Sequence, residues 1–295
     1  QLPLEGLPKQ VWVKREDLGP AKAYKWRGAF NAMACLSEEE RKGGVVAASA
    51  GNHAQGIAIG VRELECHATI FMPEPTPLVK RKAVMAHGGE SVTIELVGDS
   101  FSEAQDAALA YAAETGAVFI PPYDSIEVMA GQGTLADEIF SSGEGPFDRV
   151  YVAIGGGGLA ASVTTWLKSY WPEVKVIGVE GVDQASMSAA FENGGPTALE
   201  YVDIFCDGTA VTKVGKLTYE ICRRQLDEII TVTNQEVSAA IKLHWDGLRV
   251  IPEPSGAMSL AGYLQQQREG LVGAEEKVLT ILCGANMDFA KLSDI

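Results

Sequence analysis

Short apolar runs alternate with longer, helix-period stretches along most of this chain. Val11-Trp12-Val13-Lys14 reads as a strand, followed by Arg15-Glu16-Asp17 and a loop carrying Gly19 and Pro20. From Lys25 an apolar helix runs through Phe30, Met33, Ala34 and Leu36 to a stop at Lys42-Gly43-Gly44. The alternation then repeats. Strands are expected at Val45 to Ala48, Ala68 to Met72, Ser91 to Val97, Val118 to Ile120, Arg149 to Ile154 and Val174 to Glu180. Helices are expected at Ala54 to Leu64, Leu78 to His87, Phe101 to Thr115, Leu135 to Phe140 and Leu159 to Trp171. Further on, Leu217 to Leu226 and Asn234 to Trp245 read as helices, and Ile229 to Val232 and Val278 to Leu282 as strands. Short β-rich runs separated by helices predict an α/β chain with parallel sheets covered by helices on both faces and right-handed crossovers.

Composition narrows the class. The chain has 295 residues, 46% of them hydrophobic, enough for one large or two modest domains. A net charge of -15 argues against nucleic acid and anionic membranes as partners. No apolar run approaches the roughly 20 residues of a membrane span. The five cysteines, Cys35, Cys66, Cys206, Cys222 and Cys283, show no C-x-x-C spacing. That pattern fits free thiols in a reducing compartment and gives no structural zinc site. The chain opens at Gln1 without a signal peptide, so cytoplasm is expected, or an organelle if a transit peptide was removed.

Three stretches carry chemistry. Gly155-Gly156-Gly157-Gly158 lies directly after a strand and before a helix that opens at Leu159. A turn needs one or two glycines, and four carry an entropic cost, so backbone N–H groups turned toward one anion are the better account. The run is neither G-x-G-x-x-G nor a P-loop, which disfavours a nucleotide. Ser49-Ala50-Gly51-Asn52-His53 also joins a strand to a helix, and its amides and polar side chains suit a carboxylate; N-capping by Ser or Asn is the plain alternative. Lys25, between Tyr24 and Trp26 and close to Arg27, can be an amine nucleophile if apolar burial lowers its pKa. Together they point to a pyridoxal phosphate enzyme. Glu253-Pro254-Ser255-Gly256-Ala257 and Cys283-Gly284-Ala285-Asn286 sit at breaks beside apolar elements; alone, Cys283 reads as a small core thiol.

Taken in order, these residues resemble the fold-type II pyridoxal phosphate enzymes, most closely threonine dehydratases. Lys14 to Leu18, Tyr24 to Ala29, Ser49 to Gly56, Ala130-Gly131-Gln132-Gly133-Thr134, the tetraglycine, Glu253 to Ala257 and Cys283 to Asn286 all match in register. The resemblance implies a tryptophan synthase β-like architecture of two parallel-sheet domains. Residues 44–129 would form a small domain inserted in a large one, 1–43 plus 130–295, with no regulatory domain. It implies Lys25 as the Schiff-base lysine and base, Gly155 to Gly158 with Leu159 around the cofactor phosphate, and Asn52 at the ring oxygen. The resemblance likewise implies Glu253 on the cofactor, Cys283 against the pyridine nitrogen, and Ser49, Ala50, Gly51, Asn52 and His53 around the substrate carboxylate. The implied reaction is β-elimination of L-threonine, and of L-serine, to a 2-oxo acid and ammonia by a homo-oligomer, dimer or tetramer. The alternatives are a bulkier β-hydroxy amino acid, racemisation or β-replacement. Departures mark this chain: Ala23 and Tyr24 stand where the family has Ser-Phe, and Trp26 where it has Leu or Ile. Ala50 replaces the second base of serine racemases, and Ser186 replaces a carboxylate of their cation site beside Glu180, so no metal site is expected.

Overall fold

The computed structural model describes residues 10–288. In chain order the elements are β1 (Val11–Arg15), α1 (Lys25–Ala34), α2 (Glu38–Gly43), β2 (Val45–Ala48), α3 (Asn52–Glu63), β3 (Ala68–Met72), α4 (Leu78–Gly88), β4 (Val92–Leu96), α5 (Phe101–Thr115), β5 (Val118–Phe119) and α6 (Ile126–Ser141). There follow β6 (Arg149–Ala153), α7 (Gly158–Tyr170), β7 (Lys175–Gly181), α8 (Ser186–Asn193), α9 (Lys216–Gln225), β8 (Glu228–Val232), α10 (Asn234–Leu248), α11 (Pro254–Arg268) and β9 (Val278–Leu282).

The contacts group these elements into two compact units, 24–132 and the described remainder, 10–23 with 133–288. The contiguous unit holds a four-stranded sheet ordered β4-β3-β2-β5. The other holds a five-stranded sheet ordered β1-β9-β6-β7-β8. Among the described residues these strands pair in parallel throughout, as the apolar strand runs predict. Strands β2, β3, β6 and β9 are buried at every residue, which is why they read as unbroken apolar runs rather than as alternation. In the contiguous unit the core joins Met33, Ile57, Ile70, Met72, Val84 and Val128, all inaccessible to solvent. Burial of each such side chain contributes about 1.5–3 kcal/mol.

Several elements differ from the expectations, and α8 was not expected. The single helix expected from Lys25 to Lys42 is two, because Ser37 caps α2 in a reciprocal box with Glu40. Helix α3 begins at Asn52, two residues early. Helix α6 starts at Ile126 and runs through Gly131 and Gly133. Pro254 opens α11 and does not merely break the chain, since proline is tolerated at the first helical position.

Candidate active site

Lys25 is the first residue of α1, and close backbone approaches fix that helix within its unit. A Cβ added at Gly56 of α3 would stand 2.8 Å from the Trp26 Cα, and one at Gly60 would run into the Met33 side chain. A Cβ at Gly131 of α6 would stand 2.5 Å from the Arg27 carbonyl oxygen and 2.7 Å from the Gly28 Cα. The Gly28 amide donates to Gln132 Oε1 at 3.2 Å. Glycine is therefore required wherever α3 and α6 meet the first turns of α1.

The Lys25 ammonium donates to the Pro122 carbonyl at 2.7 Å. It also lies 5.5 Å from the Tyr24 ring centroid and 5.9 Å from that of Tyr123, within cation–π reach. His53 is buried, with Nε2 3.0 Å from the Ile120 carbonyl oxygen. A carbonyl only accepts, so Nε2 carries the proton and Nδ1 presents a lone pair. Burial, reinforced by the Lys25 charge, pushes His53 down to about 3, so the ring is neutral at physiological pH. Burial, then Asp124, pushes the Tyr123 phenol up to about 12. The Ser49 hydroxyl accepts from the amides of Gly51 (3.2 Å) and Ala54 (3.3 Å), turning its loop into the start of α3. Asn52 is the first residue of that helix, Ala50 packs against the core, and a Cβ at Gly51 would meet only open space.

In the other unit, β6 leads through Gly155 and Gly156 to Gly157, the N-cap of α7. Gly157 has φ +91°, the left-handed region that favours glycine. No side chain caps α7; like those of any helix, its first amides have no intrahelical acceptor and carry the positive end of the dipole. A Cβ at Gly155 would stand 2.9 Å from the Thr209 Cα, and one at Gly157 would stand 2.6 Å from Met187 Cε. Gly158 and Leu159, the first residues of α7, are buried. The turn therefore has no room for side chains at Gly155 and Gly157.

Three further groups belong to this unit. Cys283 is buried at the end of β9, its thiol donating to the Ser255 carbonyl at 3.4 Å. Glu253 is the N-cap of α11; its Oε2 accepts from the Asn286 amide at 3.1 Å, and Oε1 fills the space where Gly284 has no side chain. Glu180 accepts from the amides of Met187 (2.7 Å) and Ser188 (2.9 Å) and from the Ser188 hydroxyl (2.7 Å). It thus caps α8, while burial raises its pKa against those bonds.

Sequence reasoning missed several residues. Thr209 backs Gly155 and donates to Gln184 Oε1 at 2.8 Å; its signal was the small, polar run Asp207-Gly208-Thr209-Ala210 between apolar stretches. Pro122 and Tyr123, just past the strand expected at Val118 to Ile120, belong to none of the matched motifs. Gln132 lay within a matched motif without a role until its bond to Gly28 appeared.

The comparisons with known proteins agree with this chemistry. The family model described as "Pyridoxal-phosphate dependent enzyme" matches residues 2–284. The biosynthetic L-threonine dehydratase of Haemophilus influenzae is 42% identical over 288 residues, which are 98% of this chain and 55% of that protein. The chain spans about half the length of the curated relatives it matches first. The processed form of threonine deaminase isoform 2 from Solanum lycopersicum superposes with a TM-score of 0.92 at 42% identity, covering 96% of this chain and 77% of that one. Maize serine racemase superposes with a TM-score of 0.89 at 29% identity, over 96% of this chain and 85% of the other. Among the described residues no helix is long and apolar enough to cross a membrane. With a family match over nearly its whole length, two parallel sheets and a relative 42% identical over 98% of it, the chain belongs to the pyridoxal-phosphate dependent enzymes.

Proposed function

We propose that this chain catalyses β-elimination of L-threonine, and of L-serine, to a 2-oxo acid and ammonia. The observation that carries the reading is Lys25, a primary amine held on the Pro122 carbonyl beside two tyrosine rings. The relatives named threonine dehydratase and threonine deaminase support the choice of substrate.

Pyridoxal phosphate fits the residues present. The cradle of Gly155 to Gly158, with Leu159, suits its phosphate because a Cβ at Gly155 or Gly157 would collide with its surroundings. Lys25 suits its aldehyde, Asn52 its ring oxygen and the Glu253 region its face. The Cys283 thiol suits its pyridine nitrogen as a neutral partner, with its hydrogen directed to Ser255. When bound, the cofactor supplies an electron sink for the bond broken at the substrate Cα.

The protein's own groups do the rest. Lys25 Nζ takes the Cα proton as general base and, as an ammonium, can return a proton to the departing β-hydroxyl. The substrate carboxylate is held by the loop from Ser49 to His53 through the amides that open α3 and the Ser49 hydroxyl. That hydroxyl accepts two amides, and its own hydrogen can turn to the carboxylate. His53, kept neutral, adds no charge there. Ala50 has no hydroxyl for a second proton transfer at Cα, which supports elimination over racemisation. A homo-oligomer, dimer or tetramer, in a reducing compartment such as the cytoplasm or an organelle fits this reading and the five free cysteines.

The test is a visible absorption scan of purified protein, followed by 2-oxo acid release from L-threonine, L-serine and bulkier β-hydroxy amino acids in parallel. A cofactor band with 2-oxobutanoate formed from threonine is expected. A band with turnover only of bulkier substrates would move the specificity to a pocket reshaped by Ala23 and Trp26. Absence of a band after adding cofactor would refute the reading.

A further inference from the structure

The direction in which a phosphate cradle points depends on what turns its peptide groups. Thr218, on the first turn of α9, is inaccessible to solvent and reaches the tetraglycine from behind. Its hydroxyl donates to the Gly156 carbonyl at 2.6 Å; the alternative acceptor, Gly215 O, is farther at 3.2 Å. The Gly215 amide also donates to the Gly156 carbonyl, at 3.4 Å. Both donors lie on the segment that opens α9.

A trans peptide is planar, with its C=O and N–H on opposite sides. Drawing the Gly156 carbonyl toward Thr218 therefore aims the Gly157 N–H the opposite way, away from α9. The conformation this requires is the observed left-handed one at Gly157, φ +91°. Space agrees with the hydrogen bonds. A Cβ at Gly157 would stand 2.9 Å from Thr218 Cβ and 3.0 Å from its Oγ1, so the threonine occupies the volume that glycine leaves vacant. Such a glycine turn is conformationally permissive on its own, and the Thr218 bond selects one of its peptide orientations.

We propose that Thr218 is a positioning residue for phosphate binding, fixing the Gly156–Gly157 peptide so that the Gly157 amide faces the anion. The proposal rests on the tetraglycine holding the cofactor phosphate. It concerns a residue outside every motif matched in the sequence, on a helix that supplies none of the groups assigned to the cofactor above.

The test compares the cofactor-free protein with its Thr218→Val and Thr218→Ser variants. Each is titrated with pyridoxal phosphate and with pyridoxal, which lacks the phosphate, and unfolding midpoints are recorded alongside. Valine keeps the shape of threonine and removes the donor. Thr218→Val is expected to weaken pyridoxal phosphate binding about tenfold, the scale of one lost buried hydrogen bond. Its affinity for pyridoxal should stay within about twofold of the unsubstituted protein. Thr218→Ser restores the donor and should restore phosphate-dependent affinity. If valine does not yield folded protein, Thr218→Ala carries the same comparison. Equal losses for both ligands, or no loss for either, would overturn the proposal by reducing Thr218 to a support of the fold. Equal affinity of the unsubstituted protein for the two ligands would take the phosphate away from the tetraglycine, and the proposal with it.

Discussion

Replacing Gly131 by alanine adds one methyl group against the helix that carries Lys25. The new Cβ would stand 2.5 Å from the Arg27 carbonyl oxygen and 2.7 Å from both the Gly28 Cα and the Asn31 Cβ. Those distances fall 0.7–0.9 Å inside the 3.4 Å at which ordinary contact begins. Two of the three neighbours are backbone, which cannot swing aside as a side chain can. Overpacking of this kind costs about 1–3 kcal/mol, and backbone neighbours argue for the upper end. Alanine recovers about 1 kcal/mol of helix propensity over glycine, leaving about 2 kcal/mol of net destabilisation. Gly133 lies two residues on in the same helix and supplies the control. Its Cβ would meet only Trp166 Cε3, at 3.9 Å, so Gly133→Ala should keep the propensity gain of about 1 kcal/mol. The two variants should therefore differ by about 3 kcal/mol, roughly a hundredfold in the unfolding equilibrium. Urea unfolding followed by tryptophan fluorescence and circular dichroism reads that difference. Because α1 begins at Lys25, Gly131→Ala should also lose turnover that Gly133→Ala keeps. Equal shifts for the two alanines would refute the claim that α6 holds α1 by backbone contact.

Lys25→Ala should remove both the cofactor absorption band and 2-oxo acid production; a fully active variant would end the assignment of this lysine. Cys283→Asp places a carboxylate where a neutral thiol donates to Ser255, so the bound cofactor should change its spectrum and its ratio of products. An unaltered spectrum and ratio would show that Cys283 is remote from the ring. The buried histidines make stability pH-dependent: His53 is pushed down to about 3, and His244 down to about 4, in both cases first by burial. Their ordinary value is 6.5, so between pH 6.5 and about 4 the unfolded chain binds more protons than the folded one. Stability is then lost as pH falls through that window, by about 1.4 kcal/mol per pH unit for each ring. His244→Leu, which keeps the space filled without a titrating group, should make that slope shallower by one ring's share; denaturation midpoints across pH 4–7 with the original slope would contradict it.

The features legible in the sequence were those whose cause is local. Short unbroken apolar runs announced β2, β3 and β6, because strands buried on both faces need no alternation. The tetraglycine announced the tight turn into α7, because its backbone freedom can be read from residue type. What escaped notice depends on distant partners. Helix α11 is buried continuously from Pro254 to Tyr263, so its Ser, Gly and Ala residues show no polar face for a periodicity to find. Helix α8 is capped by Glu180, a residue that reaches it from β7. The orientation of Gly156 depends on Thr218, 62 residues away. Sheet order was hidden for the same reason, since pairing β1 with β9 requires knowledge of the whole chain.

That pairing has a bearing on how the protein is made. Strand β1 lies at the edge of its sheet and, among the described residues, pairs with β9, so its hydrogen-bonding partner is synthesised long after it. The unit formed by 24–132 is contiguous and can close as soon as it has emerged. The five-stranded sheet must wait for about 150 further residues, on the order of 10–30 s at typical rates of synthesis. Throughout that interval the nascent chain carries an apolar, unpaired strand, a substrate for chaperones and an invitation to mispairing. Moving β1 by circular permutation to follow β9, through a connection long enough for parallel pairing, would shorten that exposure.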